Sequence, residues 1–171
     1  IFISDNGLMW GEHGWVDKAI AHTHSVQVPL LLRWPGHVAP GVIDGRLVAN
    51  IDVTPTVLAA AGLAPDGASF DGRSLLDEAW ARESLLLEFF GPEEEHLVPP
   101  WASLRAHGYQ YIEYYGTGGE VTFKEYYDLG ADPWQLHNLY GDTDTGNDPP
   151  NGDALAERLA RARTCSGSEC P

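Results

Sequence analysis

The sequence predicts an α/β fold in two parts. Residues 1–83 form the C-terminal portion of a mixed-sheet α/β domain, and residues 84–171 form a small antiparallel sheet domain closed by a final helix. Three observations lead there. The chain opens on an apolar run, Ile1-Phe2-Ile3, that stops at the turn formers Ser4, Asp5, Asn6 and Gly7, the pattern of a buried strand and its end. A second apolar run and a well-marked helix follow, the order found at one edge of an α/β sheet. Past residue 83 the texture changes to short aromatic-rich runs separated by Gly and Pro, as antiparallel strands require.

Taken in order, "VPLLLRWPG" predicts a second buried strand over Val28–Trp34, stopped by Pro35-Gly36. In "NIDVTPTVLAAAGLAP" Asp52 suits the N-cap, Pro55 sits in the first turn, where its missing N–H costs little, and Gly62 ends the helix. "LAPDGASFDGRSL" is a turn-rich connection. "SLLLEFF", "ASLRAHG", "YQYIEYYG" and "KEYYDL" are the strand candidates, and the intervening Glu93-Glu94-Glu95 run reads as a solvated loop. Alternation of Tyr109, Tyr111, Glu113 and Tyr115 with Gln110, Ile112 and Tyr114 gives one strand two mixed faces, and "GTGGE" marks a hairpin. After the polar loop "GDTDTGNDPPNGD", "DALAERLARAR" is an amphipathic helix with Leu155, Leu159 and Ala162 on one face.

At 171 residues and 43% hydrophobic content the chain can bury an ordinary core. No run approaches the roughly 20 apolar residues that span a bilayer. The 25 acidic against 10 basic residues, a formal charge of -15, argue against nucleic acid or an anionic membrane as partner and suit a divalent cation. Cys165 and Cys170 lie close together in "TCSGSECP", where Gly167 and two serines allow a tight turn. We expect a local disulfide, hence an oxidising compartment, and secretion or an equivalent lumen. Because the chain opens on a strand rather than on Met, we expect it to be the later part of a longer protein.

In open α/β sheets ligands gather at the carboxyl ends of strands, where Asp5 and Asn6 stand. Consecutive strand residues point to opposite faces, so the two can share one ion only where the pleat breaks, and Gly7 supplies the break. A carboxylate and an amide carbonyl are hard oxygen ligands for Ca²⁺ or Mg²⁺. Lys18 lies at a distance that lets a loop return its ammonium to an anion at that metal. His13, His22 and His24 raise a zinc alternative, but no His-Glu-x-x-His completes it. Gly-x-Ser-x-Gly, Walker and Gly-x-Gly-x-x-Gly patterns do not occur.

In the same order along the chain, "SDNG", "GEHG", Lys18, "VPLLLRWPG", "NIDVTPTVLAAAG", "FDGRSLL", "PPWASLR", "YQYIEYY", "EYYDLGADPWQLHNL" and "CSGSEC" resemble the later half of the sulfatases, members of the alkaline phosphatase-like superfamily. "LVANIDVTPTVL" and "RTCSGSEC" look most like the N-acetylglucosamine-6-sulfatase branch, which acts on glycosaminoglycans. The resemblance implies a large α/β domain followed by a small antiparallel-sheet domain. It also implies a sulfuric ester hydrolase, Asp5 and Asn6 as the two late ligands of a Ca²⁺ ion, and Lys18 as the lysine that binds sulfate oxygens. His13 is a further candidate at the substrate.

The family nucleophile, a formylglycine made within Cys/Ser-x-Pro/Ala-x-Arg, has no match here. It is expected upstream of Ile1, with the remaining calcium ligands, so this chain alone is expected to be inactive and to need the missing N-terminal half as its partner. Where the family commonly has Tyr-Glu and a basic residue before Val-Pro, this chain has His22-Thr23 and Gln27. Two rival expectations are a phosphoester or phosphonate hydrolase of the same superfamily, which often carries Asp-His at Asp5-Asn6, and a non-catalytic binding or assembly module.

Overall fold

The computed structural model describes residues 1–63, 70–91, 98–167 and 170. The expected Glu93-Glu94-Glu95 loop, most of the "LAPDGAS" turn and part of the disulfide loop fall outside the described residues. Strand β1 (Phe2–Ile3) pairs antiparallel with β4 (Leu30–Leu31), while β2 (Met9–Trp10) and β3 (Val16–Asp17) form a short hairpin before α1 (Thr23–Val26). A 3₁₀ turn, Asn50–Asp52, leads into α2 (Val53–Ala60). Strands β5 (Leu85–Phe89), β6 (Trp101–Arg105), β7 (Tyr109–Tyr115) and β8 (Val121–Asp128) make a four-stranded antiparallel sheet in sequential order, and α3 (Gly152–Ala162) closes the described chain.

The two sequence-predicted buried strands are corrected in extent. Among the described residues the strand expected over Val28–Trp34 pairs only at Leu30–Leu31, and both strands of this ribbon expose apolar side chains, with Phe2 63% and Leu31 64% accessible. An apolar run specifies a strand only where a neighbour pairs with it, and among the described residues each of the two has one neighbour.

Helix α2 ends as the sequence requires. Gly62 takes φ 69°, its N–H donates to Ala59 O, and Leu63 N–H reaches back to Leu58 O at 2.9 Å, the paired bonds of a Schellman motif. Its start differs from expectation. Asp52 makes no side-chain cap for α2. Its buried carboxylate instead accepts Ala49 N–H and Arg73 N–H, and takes a bidentate ion pair from Arg82 with both contacts at 2.6 Å. Both side chains are wholly buried.

The alternation in β7 sorts the core into two. Tyr111 and Tyr115 face α3 and pack with Leu104, Leu155, Leu159 and Ala162. Ile112 faces the other way and packs with Met9, Ile20, Ala21 and Trp101, so residues 9–21 cover the second face of the sheet. On the helix side the buried Glu113 accepts both the Tyr111 and Tyr115 hydroxyls. Residues 116–120 turn the β7–β8 hairpin, closed by Gly116 N–H to Glu120 O. A disulfide joins Cys165 to Cys170, and its loop is tied to the body by Gly167 N–H donating to Asp71 Oδ1.

Candidate active site

The turn after β1 is built on close backbone approach. Gly7 N–H donates to Ser25 O at 2.8 Å, and a Cβ on Gly7 would overlap the His24 carbonyl, so only glycine lets the turn seat against α1. Asn6 N–H donates to Asp5 Oδ1 at 2.9 Å, and the Ser4 hydroxyl adds a weaker bond. These bonds hold the exposed Asp5 carboxyl below its ordinary value, the Asn6 backbone N–H contributing most.

Lys18 follows the β2–β3 hairpin and donates to Asn6 Oδ1 at 3.1 Å. The ammonium is thus brought back to the Asp5-Asn6 turn. Its backbone is clamped by two indoles that the sequence reading did not single out. Trp15 Nε1–H donates to Lys18 O at 3.3 Å, and Trp101 Nε1–H donates to Ala19 O at 2.7 Å. Asp17 and Ala19, on either side of Lys18, both take positive φ, 90° and 78°. Non-glycine residues there are strained, and such strain persists where surroundings over-determine it.

Asn50, also missed from sequence, donates Nδ2–H to Asp5 O at 3.0 Å. It stands in the 3₁₀ turn whose entry is framed by the Asp52 carboxylate on Ala49 N–H. A polar residue just ahead of a helix start was the available signal; its partner, 45 residues away, was not visible. Asp5, Asn6, Lys18, Asn50, Trp101 and Arg105 share the wall of one cavity of about 790 Å³.

The histidines do not join them. His13 is exposed, in a left-handed turn at φ 55°, with its ring 4.3 Å from that of His22. His22 is buried at the start of α1, with Nε2 3.3 Å from the Tyr127 hydroxyl and Nδ1 without a partner among the described residues. His24 stacks on Trp134. Burial, then the His13 and His24 rings, push the His22 imidazole down to about 4.

A histidine depressed on folding takes up its proton first in the unfolded chain. Its stabilising effect is therefore complete above about pH 6.5 and is lost as pH falls from there to about 4. We expect His22→Gln to remove a pH-dependent component on the order of 3 kcal/mol between those limits. Urea denaturation of both proteins at each pH measures it, and parallel curves would contradict the assignment.

Asp5 and Asn6 fit a hard cation in donor chemistry: one ionised carboxylate and one amide oxygen, the latter accepting from Lys18 in this structure. They supply two of the roughly six to eight oxygens calcium takes. Among the described residues no group of three or more His, Cys, Asp or Glu side chains gathers around a metal position.

Comparison with known proteins places this chain in a family. The Bacteroides thetaiotaomicron N-acetylglucosamine-6-O-sulfatase is 28% identical over 151 residues, covering 82% of this chain and 26% of that protein. The human N-acetylglucosamine-6-sulfatase is 29% identical over 202 residues, covering 99% of this chain and 36% of its own length. A solved structure described as in complex with its substrate D-glucosamine-2-N,6-O-disulfate superimposes with a TM-score of 0.80 at 27% identity, over 94% of this chain and 33% of that one. The chain thus spans between about a quarter and about a third of the length of these curated relatives. Residues 11–163, which carry Lys18, Asn50 and Arg105, match the family described as N-sulphoglucosamine sulphohydrolase, C-terminal, and the chain therefore belongs to this C-terminal sulfatase family.

Proposed function

We propose that residues 1–171 are the C-terminal portion of a calcium-dependent sulfatase that hydrolyses the 6-sulfate of glucosamine units in glycosaminoglycans. The observation that carries this is the Lys18 ammonium on Asn6 beside an ionised Asp5, at the wall of a cavity of sugar-accommodating size. The relatives support the substrate class, two being named for glucosamine 6-sulfates and one holding a sulfated glucosamine.

Asp5 and Asn6 would hold part of the calcium sphere, and the bound ion would neutralise charge on the sulfate. Lys18 donates N–H bonds to nonbridging sulfate oxygens, where negative charge must be met. Asn6 keeps the ammonium aimed, and the Trp15 and Trp101 bonds fix the peptides beside it before substrate arrives. In a chain of charge -15 such a local cationic spot is what admits an anionic ester.

Cys/Ser-x-Pro/Ala-x-Arg does not occur in the sequence. We therefore place the nucleophile outside residues 1–171 and expect no sulfate release from this chain alone. We also propose a division of the chain near residue 83, and an oxidising compartment, the latter supported by the Cys165–Cys170 bridge. The test is turnover by the protein that joins this chain to its upstream part, on 6-sulfated N-acetylglucosamine and on the matching phosphate ester. Preferential sulfate release is expected; faster phosphate release would make it a phosphoester hydrolase instead.

A further inference from the structure

We infer that Arg105 is a second anion-binding residue of the same cavity, selecting saccharides that carry another anionic group besides the 6-sulfate. This rests on the sulfatase reading above and adds to it a preference for a doubly anionic substrate.

The charge distribution points there first. Of the ten basic residues, six pair with carboxylates within 4.0 Å among the described residues: Arg46, Arg82, Lys124, Arg158, Arg161 and Arg163. Of the other four, Arg33 is exposed and does not line the cavity, and Arg73 donates to Cys170 O. The remaining two, Lys18 and Arg105, both line the cavity. Two carboxylates, Asp5 and Glu88, share the lining; Glu88 is already paired with Arg163, and Asp5 is the residue assigned to calcium, so with that ion bound Lys18 and Arg105 would leave a local positive field that a dianion would complement.

The geometry of Arg105 agrees. Trp101 and Arg105 lie on one face of β6, four residues apart, and reach the segment that carries Lys18: Trp101 to Ala19 O, Arg105 to the Thr23 hydroxyl. Nη1 of Arg105 donates to Thr23 Oγ1 at 3.0 Å and to Gln110 Oε1 at 2.9 Å. Both partners are neutral and themselves fixed, since Gln135 accepts from Thr23 and donates to Gln110. They orient the guanidinium without neutralising it. Its Nε–H and Nη2–H groups have no protein acceptor among the described residues and are not among the fully buried unpartnered atoms, in a residue that lines the cavity. A half-buried guanidinium with one edge anchored and a forked edge open is shaped for a carboxylate or sulfate. Burial also weakens its hold on the proton, a cost that an arriving anion relieves.

The shared chemistry of the ligand is a second oxyanion. It comes either from an N-sulfate on the same sugar or from the carboxylate of a neighbouring uronate. The test is calorimetric titration of the protein that joins this chain to its upstream part, its nucleophile replaced so that no ligand is turned over, with calcium present, by three ligands: 6-sulfated N-acetylglucosamine, 2-N,6-O-disulfated glucosamine, and a uronate-linked 6-sulfated disaccharide. At least one dianionic ligand is expected to bind about tenfold more tightly than the monosulfated sugar, and which one identifies the source. Arg105→Gln is expected to bring that ratio close to one, and Arg105→Lys to retain part of it, with melting curves of both variants as the folding control. Equal wild-type affinity for all three would overturn this inference and leave the sulfatase reading standing. Binding of none, by joined protein whose melting curve shows it folded, would overturn both.

Discussion

Removing the Asp52 carboxylate, as in Asp52→Ala, is expected to destabilise the protein by about 3–5 kcal/mol, and more than Arg82→Met. The asymmetry follows from what each change leaves behind. Without Asp52, the buried Arg82 guanidinium and the Ala49 and Arg73 N–H groups all lose an acceptor. Without Arg82, Asp52 keeps its two backbone donors, and only the charge is left uncompensated. Arg82 Nε already lacks a partner among the described residues, so the site has little capacity to re-form its bonds. The pair also links the 3₁₀ turn carrying Asn50 to residues 71–73, on which the disulfide loop rests. Equilibrium urea unfolding of the two variants measures both values, and a neutral Asp52→Ala would contradict the role assigned to the pair.

Replacing Lys18 with Met in the joined protein is expected to lower kcat/KM for the sulfated sugar by about 10²–10³-fold, the range found when one donor to a developing oxyanion is lost. Stability should change by no more than about 0.5 kcal/mol, because Lys18 is exposed and its one side-chain hydrogen bond among the described residues, to the half-buried Asn6, is open to solvent. Lys18→Arg should recover part of the rate, since the charge is kept while the shape of the donor is changed. Steady-state kinetics with a melting curve for each variant separates this from unfolding. A loss below about threefold with intact folding would remove Lys18 from the sulfate site.

What the sequence disclosed was local. The period-two pattern of β7 and the Leu155, Leu159 and Ala162 stripe of α3 marked two faces on the strand and one apolar face on the helix, because burial repeats with the geometry of each element; what packs on each face came from the structure. Gly62 and the Cys165–Cys170 spacing were readable because each closes a loop of a few residues. Asp52 was misread as an α2 cap because a helix-start signal is also what an acid buried against a distant arginine looks like in one dimension, and Arg82 lies 30 residues on. Likewise, nothing near Lys18 in sequence announces Trp101, 83 positions away, or the neutral cradle of Arg105. The return of Lys18 to Asn6 was within reach of the sequence because twelve residues suffice for a hairpin.

The central claim is that Asp5, Asn6 and Lys18 meet a sulfate ester together. It is tested most directly by a crystal structure of the joined protein with 6-sulfated glucosamine and calcium, reading the position of the sulfur atom. The account predicts sulfate oxygens within hydrogen-bond reach of Lys18 Nζ and a cation coordinated by Asp5 and Asn6. A sulfate bound away from these residues, with Lys18 still donating to Asn6, would contradict it.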